Sequence, residues 1–305
     1  MQTLQRKACA KINLSLDVLR RMENGYHQVR MIMQTVDIFD ELTFEKADSG
    51  ILLTIDDGRK ETEKNGRLSD TANASGSKIP ADQSNLIYKA AKLLMDAAGI
   101  TEGVSVHLHK NIPVAAGMAG GSTDAAATLL GLNELFQLNY TTEGLKGLGV
   151  KIGADVPYCI QGGTALAEGI GEILSPLPAP PEAVLAVAKP DIDVSTAFVY
   201  RHLRLEEIKS HPDTDGMIEA LRTQDIRGIA NRLENVLETV TIPEYPVIQE
   251  IKNLMTGCGA LGALMSGSGP TVFGIFEREE EALAAASAIR SEGLSGEIFV
   301  TGFGS

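Results

Sequence analysis

Pro113-Val-Ala-Ala-Gly-Met-Ala-Gly-Gly-Ser-Thr-Asp-Ala-Ala-Ala127 is a glycine-rich connection that runs directly into an alanine-rich helical stretch. Glycine lets a backbone approach a ligand closely and adopt positive φ, and three occur here within five residues, Gly117, Gly120 and Gly121. Ser122, Thr123 and Asp124 are N-cap formers, so a helix is expected to begin at this point. Unpaired N–H groups and the positive end of the helix dipole make such a start a phosphate cradle. A tight strand-to-helix connection with no ligand would use the same residues. The loop lacks the Gly-Lys-Ser/Thr ending of a Walker A motif and is not a Gly-x-Gly-x-x-Gly dinucleotide fingerprint. The catalytic-loop and metal-binding motifs of protein kinases are absent as well.

The 305 residues fit one large domain or two of ordinary size. With 44% hydrophobic and 22% charged residues, the composition is that of a globular chain with a sizeable core. A net charge of −13 argues against a general nucleic-acid binder, while leaving room for a local basic pocket. The three cysteines, Cys9, Cys159 and Cys258, are widely spaced and read as free thiols. The N-terminus has no signal-peptide pattern, and no apolar run reaches the ~20 residues a spanning helix needs. A cytoplasmic protein without membrane contact is expected, with its oligomeric state open.

Residues 8–18 alternate, with Ala8, Ala10, Ile12, Leu14, Leu16 and Val18 on one side and Cys9, Lys11, Asn13, Ser15 and Asp17 on the other. This period of two predicts a half-buried strand. Asn24-Gly25 marks a turn, followed by a second extended stretch to about residue 43 and a strand near 50–56. Residues 57–84 are polar and aperiodic and read as a mobile surface insertion. Helices are expected at 85–98, from the loop to about 136, and at 142–152, with a strand at 104–108. Beyond Gly163, strands are expected at 164–168 and 183–188, then helices near 195–207, 215–223, 225–237 and 245–256. Short strands at 260–266 and 271–276, a helix at 278–292 and a strand at 296–303 follow. This mixed, non-alternating order predicts an α+β fold, divided into an N-terminal domain, 1–163, and a C-terminal domain, 164–305.

Lys11 and Asn13 lie two residues apart on the polar side of the first strand, where a lone lysine is usually solvated. Asp155, in Gly153-Ala-Asp-Val-Pro157, has the form of a helix cap with proline just inside. His107 and His109 share a strand face and, without a third ligand nearby, read as an exposed edge rather than a metal site. Gly267-Ser-Gly-Pro270 by itself is a turn.

Together these segments resemble the small-molecule kinases that include galactokinase, homoserine kinase, mevalonate kinase and phosphomevalonate kinase. The shared pattern is an N-terminal strand with Lys and Asn, the Pro-x-x-x-Gly-x-x-Gly-Gly-Ser-Thr loop, and a Ser-Gly-Ser-Gly-Pro turn. Ala10-Lys-Ile-Asn-Leu-Ser-Leu16, Asn24-Gly-Tyr-His27, Met33-Gln34, Ser84-Asn-Leu86, Gly153-Ala-Asp-Val-Pro157 and Met265-Ser-Gly-Ser-Gly-Pro-Thr271 are similar to the signatures of one branch, the 4-diphosphocytidyl-2-C-methyl-D-erythritol kinases. The chain departs from that pattern at Met118-Ala119, at Thr123 in place of the commoner Ser, and in its long 57–84 segment.

The resemblance implies a two-domain fold with a left-handed β-α-β unit, an active-site cleft between the domains, and ATP-dependent phosphorylation of the acceptor's 2-hydroxyl. It implies Lys11 and Asp155 as catalytic residues, Asp155 taking the hydroxyl proton and Lys11 keeping Asp155 ionised. It assigns Pro113, Val114, Ala115, Ala116, Gly117, Met118, Ala119, Gly120, Gly121, Ser122 and Thr123, with Asn85 and Lys110, to ATP. Asn13, Tyr26, His27, Ser195, Thr196 and Tyr200 go to the acceptor, with Tyr26 and His27 on the cytosine. Mg²⁺ is expected with the ATP, its ligands unassigned. A sister kinase for homoserine or mevalonate, or an inactive nucleotide-binding protein on the same fold, are the alternatives.

Overall fold

A computed structural model describes residues 3–23, 25–58 and 79–304. Asn24 and most of the 57–84 segment, residues 59–78, lie outside the described residues. The elements begin with β1 Thr3–Arg21, β2 His27–Ala47, β3 Ile51–Asp57, α1 Leu86–Ala98, β4 Gly103–Lys110 and α2 Gly120–Leu135. Next come α3 Thr142–Gly149, α4 Val156–Gln161, β5 Thr164–Glu168, β6 Ile173–Leu177, β7 Val184–Lys189 and α5 Thr196–His202. The chain continues through α6 Thr214–Arg222, α7 Ile226–Ala230, β8 Glu234–Asn235, α8 Glu238–Glu244 and α9 Val247–Gly257. It ends with β9 Gly262–Met265, β10 Val272–Phe276, α10 Glu279–Ser291 and β11 Glu297–Gly302. The fold is α+β, as the mixed order predicts.

The chain forms two compact units, each assembled from separate stretches. The first comprises Met1–Cys9, Phe39–Ile112 and Gly120–Gln161, and the second Ala10–Ile38, Pro113–Ala119 and Gly162–Ser305. The strands β1 and β2 contribute residues to both.

In the first unit β3 runs parallel to β4, and β4 antiparallel to the later part of β2, with Phe44 opposite Val106 and Leu42 opposite Leu108. Alternation turns these apolar residues to one face, where they share a core with Ile87 and Leu94 of α1 and Leu129 and Leu132 of α2. The close approach of α2 depends on Gly131: a Cβ there would stand 2.7 Å from Cε2 of the fully buried Phe44. Gly131→Ala is therefore expected to destabilise, although alanine favours a helix by ~1 kcal/mol. Overpacking of a dense core costs about 1–3 kcal/mol. A thermal melt should show Tm lowered by several degrees, and an unchanged or raised Tm would contradict this packing.

In the second unit the later part of β1 pairs in parallel with β8, with Ser15 opposite Glu234 and Leu16 opposite Asn235. The early part of β2 pairs antiparallel with β5, and β5 with β6. A separate antiparallel sheet has the order β11-β7-β10-β9. Its inner strand β10 is buried along its whole length, covered by α9 while α10 packs on β7. The Phe303–Val36 bridge and the Gly304 N–H to Thr35 C=O bond (2.9 Å) fasten the chain end to β2.

Several elements differ from the sequence reading. The polar side of β1 is also buried, because Lys11, Asn13, Ser15 and Asp17 face protein rather than solvent. The helix expected over 225–237 stops at Ala230, and the chain enters β8 four residues later. Pro243 sits inside α8, a helix that its presence had concealed. The hairpin turn at Gly25 is as expected, with φ +85° and a Gly25 N–H to Met22 C=O bond of 3.0 Å. Among the described residues, no helix is long and apolar enough to cross a membrane.

Candidate functional site

Helix α2 begins at Gly120, two residues before the expected cap. Ser122 and Thr123 thus occupy its first turn, where N–H groups lack intrahelical partners. The loop before it reaches the helix by placing alternate residues in the left-handed region: Ala115 at φ 52°, Gly117 at 72° and Ala119 at 59°. Two of these three are alanines, each held against an intrinsic cost of about 1–2 kcal/mol. Gly120 and Gly121 serve a different need, close packing: a Cβ on Gly120 would lie 3.1 Å from Ile112 Cγ2 and 3.2 Å from Lys110 Nζ.

In the second unit the loop rests on the 266–270 turn. A Cβ on Gly117 would overlap the Ser266 carbonyl oxygen and lie 3.1 Å from that of Gly269. The Gly117 carbonyl accepts from Lys11 Nζ at 3.1 Å and from Ser266 Oγ at 3.0 Å. Lys11 Nζ also donates to Asn13 Oδ1 at 2.8 Å, and the Lys11 N–H to Met118 C=O at 3.2 Å. A buried ammonium, 5% exposed, is thereby fixed beside the glycine loop.

The same unit pairs the rings of His27 and Tyr200, centroids 5.2 Å apart and tilted by 34°. Partial burial, and then the charge of Arg21, lowers the His27 pKa below the ordinary imidazole value, which favours the neutral ring. Tyr26 beside it is exposed. Ser195 caps α5 by accepting the Phe198 N–H at 3.3 Å, and Thr196 Oγ1 lies 2.8 Å from Ser268 Oγ. Ser195 and Thr196 thus start the helix that presents Tyr200 to His27.

In the first unit Asp155 directly precedes α4, and its carbonyl accepts the Cys159 N–H at 3.0 Å. Its turn adjoins the start of α2, since a Cβ on Gly153 would lie 3.9 Å from Ser122 Oγ. The Thr123 hydroxyl donates to the Cys9 carbonyl at 2.8 Å. The Asn85 amide is engaged at both ends, accepting the Ile87 N–H at 2.8 Å as the α1 cap and donating to Pro80 C=O at 2.7 Å.

Lys110 is buried between two carboxylates, its Nζ 2.6 Å from both Asp40 Oδ2 and Asp124 Oδ2. Asp40 Oδ1 accepts the N–H groups of Asn111 and Ile112 at 2.6 and 2.8 Å. Among the described residues, Asp124 Oδ1 is buried with no hydrogen-bond partner. Burial, only partly offset by Lys110, pushes the Asp124 carboxyl well above its usual range. For Lys110 burial works against the charge, but Asp124 and Asp40 prevail and raise its pKa. The cluster lies directly under Gly120, and neither Asp40 nor Asp124 was singled out in the sequence as a lysine partner.

His107 and His109 bond to Thr54 and Asp56 on the neighbouring strand, at 2.9 and 2.8 Å. Among the described residues no three His, Cys, Asp or Glu side chains gather as a metal cage. Mg²⁺ does not need one, since it keeps several waters and is usually bound through one or two carboxylates plus substrate phosphates. Ser122, half-buried, lies in the first turn of α2.

The GHMP kinases N terminal domain matches residues 85–163, and the GHMP kinases C terminal domain matches residues 217–294. A 4-diphosphocytidyl-2-C-methyl-D-erythritol kinase of Lachnospira eligens is 47% identical over 99% of this chain and 98% of its own length. Its counterpart in Lachnoclostridium phytofermentans is 48% identical over 92% of this chain and 91% of its own. A crystal structure of 4-(cytidine 5'-diphospho)-2C-methyl-D-erythritol kinase superposes with a TM-score of 0.80 at 34% identity, covering 99% of this chain and 100% of that one. Homoserine kinase from Cytophaga hutchinsonii, at 19% identity and a TM-score of 0.71, shares the fold. With the Lys-Asn strand, the glycine loop and the Ser-Gly-Ser-Gly-Pro turn all built into it, this chain belongs to the GHMP kinases and, among them, to the 4-diphosphocytidyl-2-C-methyl-D-erythritol kinase family.

Proposed function

We propose that this protein transfers the γ-phosphoryl group of ATP to the 2-hydroxyl of 4-diphosphocytidyl-2-C-methyl-D-erythritol, a step of non-mevalonate isoprenoid precursor synthesis. The observation that carries this reading is identity near one half, over nearly the whole chain, with kinases of that name. The His27–Tyr200 ring pair favours it over a homoserine or mevalonate acceptor, neither of which has a base to stack.

Phosphoryl transfer depends on positioning and charge neutralisation more than on covalent chemistry. Residues Pro113 to Thr123 cradle the ATP phosphates, with the N–H groups at the start of α2 directed at negative charge. Thr123 acts through its backbone, since its hydroxyl is bound to Cys9. Asn85 and Lys110 shape the nucleotide pocket indirectly, one by capping α1 and the other by supporting Gly120. Lys11, held by the Gly117 carbonyl and Asn13, supplies positive charge and orients the acceptor hydroxyl. Asp155 accepts the proton of that hydroxyl as the bond to phosphorus forms. Tyr26, His27 and Tyr200 hold the cytosine, and Ser195 and Thr196 set the helix that carries Tyr200. Ser122 would help to hold Mg²⁺ beside the ATP phosphates, and the ion would offset their charge. Residues 1–163 thus supply the nucleotide site, the catalytic pair and part of the acceptor site, and 164–305 the remaining acceptor contacts.

ATP consumption measured beside the cytidylated acceptor, homoserine and mevalonate tests the assignment. Turnover with the cytidylated compound alone is expected, and preference for either small alcohol would overturn it. His27→Ala and Tyr200→Ala should each raise the acceptor KM about ten- to a hundredfold, the equivalent of ~1–3 kcal/mol for a stacked base. The KM for ATP should stay within twofold. A shift in the ATP constant with no change for the acceptor would mean that the two pockets are exchanged.

A further inference from the structure

The 266–270 turn has a buried support that the scheme above does not use. Asn235, the second residue of β8, is 3% exposed. Its Nδ2 donates to the carbonyls of Met265 and Gly267, both at 2.8 Å, and its Oδ1 accepts the Leu237 N–H at 3.0 Å. Both amide donors are thus committed to the residues flanking Ser266. Glu238 Oε1 accepts the Met265 N–H at 2.9 Å and Thr241 Oγ1 donates to Ser268 C=O at 3.3 Å, so each steadies one end of the turn. Ser266 then bonds the Gly117 carbonyl, which also takes the Lys11 ammonium. Asn235 is itself fixed by pairing opposite Leu16 on β1, the strand that carries Lys11. A closed circuit results within one compact unit: β1, Asn235, the turn, Gly117, and back to Lys11 on β1.

We propose that Asn235 is a positioning residue for phosphoryl transfer, which holds Ser266 in place and through it the Gly117 loop and the Lys11 ammonium. This inference rests on reading the loop as the nucleotide phosphate site. Asn235→Asp is the informative variant. It keeps the size and the acceptor for Leu237 but turns the two donors into an acceptor facing two carbonyls. Its kcat, acceptor KM and Tm are measured together with the dissociation constant of a non-hydrolysable ATP analogue with Mg²⁺. Ile251→Val, a core truncation in the same unit, is the control, and each protein is assayed at the same interval below its own Tm.

Displacement of a catalytic group by ~1 Å costs about a hundredfold in rate. The Asp variant should therefore lose about ten- to a hundredfold in kcat and about tenfold in analogue affinity, with acceptor KM within threefold. The control should keep all three values. Wild-type kcat and analogue affinity in the Asp variant, or equal losses in the control, would overturn the proposal. If the Asp variant does not fold, Ser266→Ala decides, because it removes only the hydroxyl on Gly117. It must reproduce both losses, and wild-type values would overturn the proposal. Wild-type protein that binds the analogue but ignores the cytidylated acceptor would refute the substrate reading alone, and the analogue titration would still decide the role of Asn235.

Discussion

Asp155→Asn should lower kcat by about 10²–10⁴-fold, the usual worth of a positioned base, while ATP still binds. Asparagine has the same shape and leaves the Asp155 carbonyl free to accept the Cys159 N–H, so α4 should start as before. On the proposed reading, what is lost is the ability to take the acceptor proton as the phosphoryl group arrives. Asp155 belongs to the turn that packs beside Ser122 at the start of α2, so an indirect effect on the nucleotide is the competing explanation. Single-turnover kinetics with saturating ATP separate the two. A slow chemical step with normal ATP affinity is the expected result, and turnover within tenfold of wild type would remove Asp155 from catalysis.

Gly117→Ala should be nearly as damaging, by a different route. At φ +72° an alanine costs about 1–2 kcal/mol on backbone grounds alone, as Ala115 and Ala119 already do. The decisive term is the overlap of the new methyl with the Ser266 carbonyl. That carbonyl is backbone and is tied down, since it accepts the Gly269 N–H at 2.9 Å while the Ser266 N–H donates to Thr271 C=O at 2.8 Å. The loop must lift instead and give up its contacts with Lys11 and Ser266. Titration with an ATP analogue should show affinity reduced about a hundredfold, and calorimetry a Tm several degrees lower. Affinity within threefold of wild type would mean that the loop does not hold the phosphates.

The sequence reveals this architecture unevenly, for identifiable reasons. Strand β1 is legible because Ala8 to Val18 alternate without interruption, and α1 because Asn85 caps an apolar stripe. The glycine loop is legible as a connection but not as a conformation: positive φ falls on Ala115 and Ala119, whereas Gly120 and Gly121 are helical. No local signal separates a glycine required for φ from one required for clearance. Lys11 and Asn13 stand out through the family resemblance alone, since the alternation by itself reads as a solvated strand face, and only the fold shows that face to be buried. Asp40 and Asn235 escape notice, and Asp124 reads only as a cap former, because Lys110 lies 70 residues from Asp40 and 14 from Asp124, and the Met265 carbonyl 30 from Asn235. A two-residue strand such as β8 has too few residues to show a period.

The double acceptor at Gly117 also bears on what can be moved between proteins. Its two donors come from residues 11 and 266, and the regions matched by the two GHMP domains, 85–163 and 217–294, include only the second. A loop grafted alone into a foreign scaffold would bring its glycines without the ammonium and hydroxyl that hold its shape. The transplantable cassette is discontinuous: the Lys-Asn strand, the loop, β8 with Asn235 and the serine turn must travel together. For the same reason, a recombination breakpoint between related kinases that separates these four segments would pair a loop with supports drawn from another lineage.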